Sequence, residues 1–445
     1  HGQSATITGW PGRHVTRPAR ATHAASMNRT DQADPAGQSP AASLAMTAPE
    51  RRASVALAAV YASRMLGLFL VLPVLAVHAA GMPGGGDARL VGWALGVFGL
   101  TQALLQLPFG LASDRFGRKP VIYIGLLVFA AGSMLAAVAE TLPALVAARA
   151  LQGAGAVSAA VSALLADLTR DSQRTKAMAM VGASIGVSFG VSLIVAPWLY
   201  GLVGMGGLFL LTALCALLAI ALVRFAVPDP ASRPAGGAGD VRFADVLREA
   251  DLLRLDFGIF AQHAVQVALF VVIPGWLVSR AGMPLTAHWK VYLPVMLLSF
   301  ILMVPAVVWA ERRGRMRGVF LLAIIVQISA AAGLSLGPSG LGAIAGLLFV
   351  FFWGFNVLEA SLPSMVSRLA PAAAKGAALG VYNTAQSLGL FAGGAIAGWI
   401  LTRADGAAVF MACAGLLALW LLIAIGHRRW PQRGGRVAVA QATAG

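Results

Sequence analysis

Cysteine is almost absent from this chain, and negative charge is scarce: 2 cysteines and 17 acidic residues stand among 445. Cys215 and Cys413 both fall inside apolar runs, which suits packing residues and provides neither a disulfide framework nor paired metal-ligand spacing. No Walker loop or zinc pattern occurs, and no nucleophile-elbow machinery is expected, so neither an ATP-driven pump nor a hydrolase is anticipated. No cofactor or metal is called for. An apolar h-region is missing ahead of Met46, so the start does not read as a signal peptide.

Apolar residues are abundant. With 58% hydrophobic and 11% charged residues and a mean hydropathy of +0.79, a soluble body of this length would lack polar surface. Runs near 20 residues recur, each long enough as a helix to cross a hydrocarbon core of roughly 30 Å. Twelve spans are expected, near 54–79, 89–112, 120–139, 142–166, 176–199, 206–227, 255–279, 289–310, 317–337, 341–362, 376–401 and 406–426. Alternating barrel strands are missing, and only helices or closed barrels satisfy the backbone in lipid. The fold class is therefore an all-α membrane protein of twelve transmembrane helices in two six-helix bundles.

The formal net charge of +16 could suggest nucleic acid, but its placement argues otherwise. Arg51, Arg52, Arg115, Arg118, Lys119, Arg170, Arg174, Lys176, Arg312, Arg313, Arg315, Arg368 and Lys375 are among the many cations in alternate loops on one side, while Arg89, Arg280, Lys290 and Arg403 face the other. Such asymmetry predicts that the basic side, with both termini, is cytoplasmic. No nucleic-acid partner is expected.

Residues 1–45 are rich in Ala, Thr, Ser, Pro and Gly and have a disordered composition. They are read as an N-terminal extension of artefactual origin, ahead of a natural-looking start at Met46. A first bundle is expected over 46–227, a linker over 228–250 where VPDPASRPAGGAGD breaks the apolar pattern, a second bundle over 251–428, and a basic tail over 429–445. The halves repeat: Asp114, Arg115, Gly117 and Arg118 are echoed by Glu311, Arg312, Gly314 and Arg315, and Lys176 by Lys375.

GLASDRFGRK, residues 110–119, fills the polar gap between the second and third spans. It closely resembles the signature loop of the major facilitator superfamily of secondary transporters. RALQGAG at 149–155 is similar to that family's second motif, and further stretches across residues 46–426 resemble the YajR subgroup, among the drug-proton antiporter-like facilitators. That subgroup's soluble C-terminal domain is not expected here, since the chain ends soon after Trp430. The resemblance implies a monomeric transporter in a bacterial inner membrane that uses protons and a small-molecule substrate, with the lipid bilayer as its other partner.

It also implies roles. Gly110 and Gly117 permit close approach and a tight turn; Asp114, Arg115, Arg118 and Lys119 form a conformational gate. Asp114 would meet the start of the eleventh helix, and Arg118 would pair with Asp167 and with Glu359, latching the two halves. Charges buried in apolar spans cost about 3 kcal/mol each, which invites a functional account of Arg64 and Arg149. Together with His263, whose ordinary titration range suits a proton carrier, they are the coupling candidates. Glu359 reads as the only acid within a span. The fifth helix departs from the antiporter glycine pattern at Tyr200, while Gly182, Gly186 and Gly190 form a stripe suited to helix packing. Cavity candidates are Met65, Phe69, Gln102, Gln106, Gln262, Gln266, Asn356 and Asn383, with Phe352, Tyr382 and Gln386: an apolar wall with amides, suited to lipophilic or weakly polar molecules. Efflux by antiport is expected, with proton-coupled uptake of a metabolite or a non-transporting receptor as alternatives.

Overall fold

The structure is a computed structural model, and it describes residues 46–229, 246–370, 375–427, 429–431 and 437–439. The expected N-terminal extension and most of the linker lie outside the described residues. The chain forms α1 (Ala48–Ala80), α2 (Ala88–Phe116), α3 (Arg118–Ala137), α4 (Leu142–Ala154), α5 (Ser158–Asp167), α6 (Asp171–Phe225), α7 (Ala250–Ser279), α8 (Trp289–Arg313), α9 (Met316–Ser335), α10 (Leu341–Leu369), α11 (Lys375–Leu401) and α12 (Gly406–Ile425). Among the described residues, the departure from helix is a two-stranded antiparallel ladder, β1 (Arg429–Pro431) with β2 (Val437–Val439). It falls in the stretch read as a plain basic tail, and Trp430 there packs edge-on against Phe320 of α9 at 5.5 Å.

Among the described residues, eleven helices are long and apolar enough to cross a membrane. One of them, α6, has 55 residues, which at about 1.5 Å per residue is far longer than one bilayer crossing needs. Gly204 interrupts it with a φ of 64° and a ψ of −174°, so α6 carries two crossings and the expected twelve are accounted for. The fourth crossing is broken the other way, into α4 and α5 around Gly155. Gly117 at φ 97° and Gly314 at φ 66° turn the chain after the second and eighth crossings, so the internal repeat holds at the backbone as well as in the letters.

α1 starts at a capping box in which Thr47 and Glu50 satisfy each other's backbone N–H groups. The Glu50 carboxylate also receives Arg170 Nε at 2.8 Å and Nη2 at 3.0 Å, tying this end to the turn before α6. Further along, Ser184, Ser188 and Ser192 of α6 donate to the carbonyls of Ala58, Ala62 and Leu66 of α1 at 3.0, 3.1 and 3.3 Å. Their four-residue spacing puts all three on one helix face. This ladder, rather than the neighbouring glycines, makes the close helix contact: a Cβ on Gly182 or Gly186 would meet nothing within 4 Å. The packing expected of the glycine stripe is thus corrected at Gly182 and Gly186, while Gly190 does pack, against Phe300 of α8. Residues 182–186 and 186–190 each spell G-x-S-x-G, but both lie within continuous helix and lack the strand-to-helix turn of a nucleophile elbow.

The two bundles meet along two seams. In α2 and α11, a Cβ on Gly92 would lie 2.1 Å from the Gly394 carbonyl oxygen, and one on Gly99 2.3 Å from that of Ser387. In α6 and α8, Gly190 reaches the Phe300 ring, while Gly201 reaches Thr286 just before α8. Both seams belong to the half of the bundle remote from the signature loop, called here the far half. Toward the signature loop, or basic end, Gly376 and Gly380 of α11 join Gly182 and Gly186 of α6 in facing open space. The bundles are therefore zipped in the far half and parted at the basic end.

Candidate functional site

Two buried arginines occupy the first bundle. Arg64 of α1 is 2% exposed. It donates to Ser158 Oγ at 2.8 Å and to Gln102 Oε1 at 2.6 Å, while its Nε has no partner among the described residues. Arg149 of α4 is fully buried; it donates to the Ala94 carbonyl at 3.2 Å and to Gln152 Oε1, leaving one terminal nitrogen without a partner among the described residues. Both guanidinium groups also lie near the Phe98 ring, at 5.9 and 5.2 Å from its centroid. The aromatic face stabilises two neighbouring cations to which, among the described residues, no carboxylate is paired. Gln152 passes the network on to Ser133 at 2.8 Å.

Gln102 matters beyond its own bundle: its amide nitrogen donates to Ser387 Oγ on α11 at 2.8 Å. Arg64, Gln102 and Ser387 thus make a polar bridge between bundles at the inner edge of the zipped seam. Gln106, one turn nearer the basic end, is buried with neither amide atom partnered among the described residues. Beyond the bridge, aromatic rings close the gap: Phe189 of α6 lies 5.0 Å from Phe69 of α1, 6.1 Å from Phe352 and 5.7 Å from Phe355, the last two on α10. Met65 is half-buried against the same core.

In the second bundle several expected cavity amides turn inward instead. Gln262 donates to the Phe355 carbonyl at 3.0 Å and accepts from Gln327 at 3.1 Å; Asn356 donates to Ser299 at 2.9 Å. They tie α7, α8, α9 and α10 together, because a buried amide in lipid-facing protein is costly unless bonded. Gln266 is buried, with its oxygen unpartnered, and Asn383 is half-buried. His263 is 3% exposed. One ring nitrogen, Nδ1, lies 3.2 Å from the Ile259 carbonyl, and Nε2 lies 2.7 Å from the Gln386 amide nitrogen. A neutral ring satisfies both contacts when Nδ1 donates and Nε2 accepts.

At the basic end, Arg118 donates to Asp167 at 2.9 Å, to Ser113 at 2.8 Å and to Asp114. All four residues belong to the first bundle. Glu359 is not among the partners of Arg118, and its Oε2 has none among the described residues, so the expected latch across the bundles is unmade in this parted arrangement. The side chain of Lys375 lies outside the described residues. Arg115 stacks on Phe116 at 5.4 Å, Gly110 approaches Ala159, and Lys119 donates to the Val227 carbonyl and reaches Asp229, both at 2.7 Å, pinning the start of the linker. The Asp229 carboxylate is held below its ordinary titration range by that lysine. In the second half the corresponding pair is reversed, with Glu311 accepting from Arg368 at 3.3 Å.

Asp256 escaped the sequence reading. It falls at the edge of the seventh span, so Glu359 is not the only acid within a span. It is 6% exposed, and neither carboxyl oxygen has a hydrogen-bond partner among the described residues. Among the described residues no cluster of His, Cys, Asp and Glu could hold a metal ion.

The chain is similar to known transporters over most of its length. The Escherichia coli (strain K12) inner membrane transport protein YajR is 44% identical over 382 residues, covering 85% of this chain and 84% of its own length. The multidrug resistance protein MdtH of Aeromonas hydrophila is 26% identical over 335 residues, 73% of this chain and 81% of that protein. The human organic anion transporter MFSD10 superposes with a TM-score of 0.64 at 19% identity, covering 85% of this chain and all of that one, a likeness of fold alone. The family model described as Major Facilitator Superfamily matches residues 53–389, and the chain belongs to that family of membrane transporters.

Proposed function

We propose that this transporter is a proton-driven exporter of small lipophilic or drug-like molecules in a bacterial inner membrane, with the basic end and both termini in the cytoplasm. The observation that carries the reading is the pair of seams, zipped in the far half and parted at the basic end above a floor of Phe69, Phe189, Phe352 and Phe355. A cleft of this kind, opening on the cytoplasm, loads an apolar molecule from inside the cell. The names of the relatives, an inner membrane transport protein and a multidrug resistance protein, agree with an inner-membrane setting and drug-like substrates.

The working cycle of a single monomer needs only differential affinity of proton and substrate for two arrangements. Arg64 and Arg149 supply a positive field at the cleft, His263 offers an exchangeable proton site against Gln386, and Asp114, Arg115, Arg118 and Asp167 set how readily the basic end closes, with Glu359 as the second-bundle partner. Gln102 and Ser387 report the arginine network to the opposite bundle. Tyr200, bonded to His78 at 3.1 Å where the antiporter pattern asks for glycine, favours a second reading, proton-coupled uptake.

Purified protein in proteoliposomes with an internal pH-sensitive dye tests both. Exchange predicts that a lipophilic cation or neutral drug evokes proton movement opposite to its own, and that Arg149→Ala abolishes it. Proton and substrate moving together would select uptake; proton-independent drug flux would overturn both.

A further inference from the structure

A groove of about 480 Å³ opens at the basic end of the first bundle, between the start of α1 and the end of α6. Ala48, Pro49 and Arg52 of α1 line one wall and Phe225 of α6 the other, with Val227 and Pro228 just past α6 completing it. Lys119 of α3 reaches the same place: its ammonium donates to the Val227 carbonyl and pairs with Asp229, both at 2.7 Å. Arg224, next to Phe225, holds its guanidinium carbon 6.0 Å from the centre of that ring.

Three cations therefore border one small groove. Of the acids adjoining it in sequence, Glu50 is taken by Arg170 and Asp229 by Lys119, with Arg224 acting on Asp229 at longer range. No carboxylate is in ion-pair contact with Arg52 or Arg224 among the described residues. Thr47 and Glu50 already cap the terminus of α1, so the attraction comes from side-chain charge.

Away from the basic end the groove continues as an apolar strip. From it, α1 and the second crossing of α6 run side by side to the contact of Thr212 Oγ1 with the Gly67 carbonyl at 3.2 Å. Along that stretch Val55 and Ala59 share a helix face with Arg52 and are exposed, as Leu218 and Leu214 are on the face of Phe225. Phe225 itself is 78% exposed, a large ring whose covering by an apolar chain is favourable.

A cationic mouth at the ends of two membrane-crossing helices, leading into an apolar strip, matches the chemistry of an anionic lipid. Free phosphate would leave Phe225 and the strip uncovered, and a headgroup without net charge would leave the surplus cations unmatched. We propose that this groove binds one anionic phospholipid, its phosphate among Arg52, Arg224 and Lys119 and an acyl chain along Phe225, Leu218 and Val55. The lipid ties the start of α1 to the end of α6 and to the root of the linker at Asp229. Only the naming of its leaflet as cytoplasmic rests on the proposed orientation; a reversed topology would change the leaflet and not the site.

Native mass spectrometry of the full chain in detergent, titrated with phosphatidylglycerol, tests the site, with the thermal midpoint as a check of folding. The unmodified protein should retain one phosphatidylglycerol more tightly than phosphatidylcholine, a preference that does not depend on any variant folding. Phosphatidylglycerol, and not inorganic phosphate, should raise the midpoint. Arg52→Gln with Arg224→Gln should weaken retention roughly 30-fold, and Phe225→Ser should weaken it as well. Arg312→Gln with Arg313→Gln, which removes the same charge from the basic end of α8, should leave retention unchanged. Equal weakening by the two double variants would reveal diffuse attraction, and equal retention of phosphatidylcholine a merely apolar surface; either overturns the site. Stabilisation by inorganic phosphate alone, or no retention by the folded unmodified protein, would overturn it too. Proton-coupled flux has no part in these readings, so the site and the proposed function stand or fail separately.

Discussion

Arg149 shows how a single side chain can be both structural and functional. It is fully buried and holds the Ala94 carbonyl and Gln152 together, so its removal strands acceptors that each cost about 1–3 kcal/mol when unsatisfied. Arg149→Met should therefore lower the thermal midpoint in detergent, and Arg149→Lys, which keeps the charge but not the planar fork, should lower it less. If the positive field is what matters for coupling, the Lys variant should keep measurable proton-linked flux while the Met variant loses it; equal loss in both would assign Arg149 to packing. This residue and Arg64 were legible in the sequence because a charge in an apolar run stands out. Asp256 was not, lying at a span edge where charges are ordinary. Nor were the inward turns of Gln262 and Asn356, since helical periodicity does not say which of two flanking partners an amide will find.

At the scale of elements, the seam between α2 and α11 is the most constrained contact. A Cβ on Gly394 would lie 2.3 Å from the Gly92 carbonyl oxygen and 3.0 Å from Gly96 N, and backbone atoms cannot step aside as a flexible side chain would. Overpacking of this kind costs about 1–3 kcal/mol, and the cost is relieved if the far half opens, biasing a two-state equilibrium by roughly 5- to 150-fold. Gly380 offers a reporter at the other end of α11, because a side chain there meets nothing within 4 Å. With Cys215 and Cys413 replaced, Gly380→Cys should be labelled quickly by a thiol reagent, and Gly394→Val should slow that labelling as the basic end closes. Unchanged labelling would mean that the two ends are not coupled. The spans themselves were readable from hydropathy, and the Gly117 turn from its motif. The serine ladder of α6 was missed because small polar residues and glycines at the same spacing look alike until the partner helix is placed.

For the whole molecule, sequence conveyed the two bundles and their repeat but not which end is open, since arrangements separated by a few kcal/mol share one sequence and one set of helices. The signature loop should set that balance. In the parted arrangement Asp114 is 61% exposed and bonded to Arg118 within its own bundle, so its charge costs nothing to keep there; the proposed gain comes on closure, when it meets the start of α11. A carboxylate at a helix N-terminus contributes about 0.3–1 kcal/mol, and up to about 2 kcal/mol when partly buried. Asp114→Asn should remove that gain and favour the parted state, raising the labelling rate of Gly380→Cys. Because that state is the one described, the rise is best read in the Gly394→Val background, where the closed form is enriched. Two substitutions at opposite ends that bias one equilibrium should add in free energy, so Asp114→Asn ought to restore much of the labelling that Gly394→Val takes away. Failure to restore it, with both proteins folded, would show that the signature loop does not govern the closure that the seam controls.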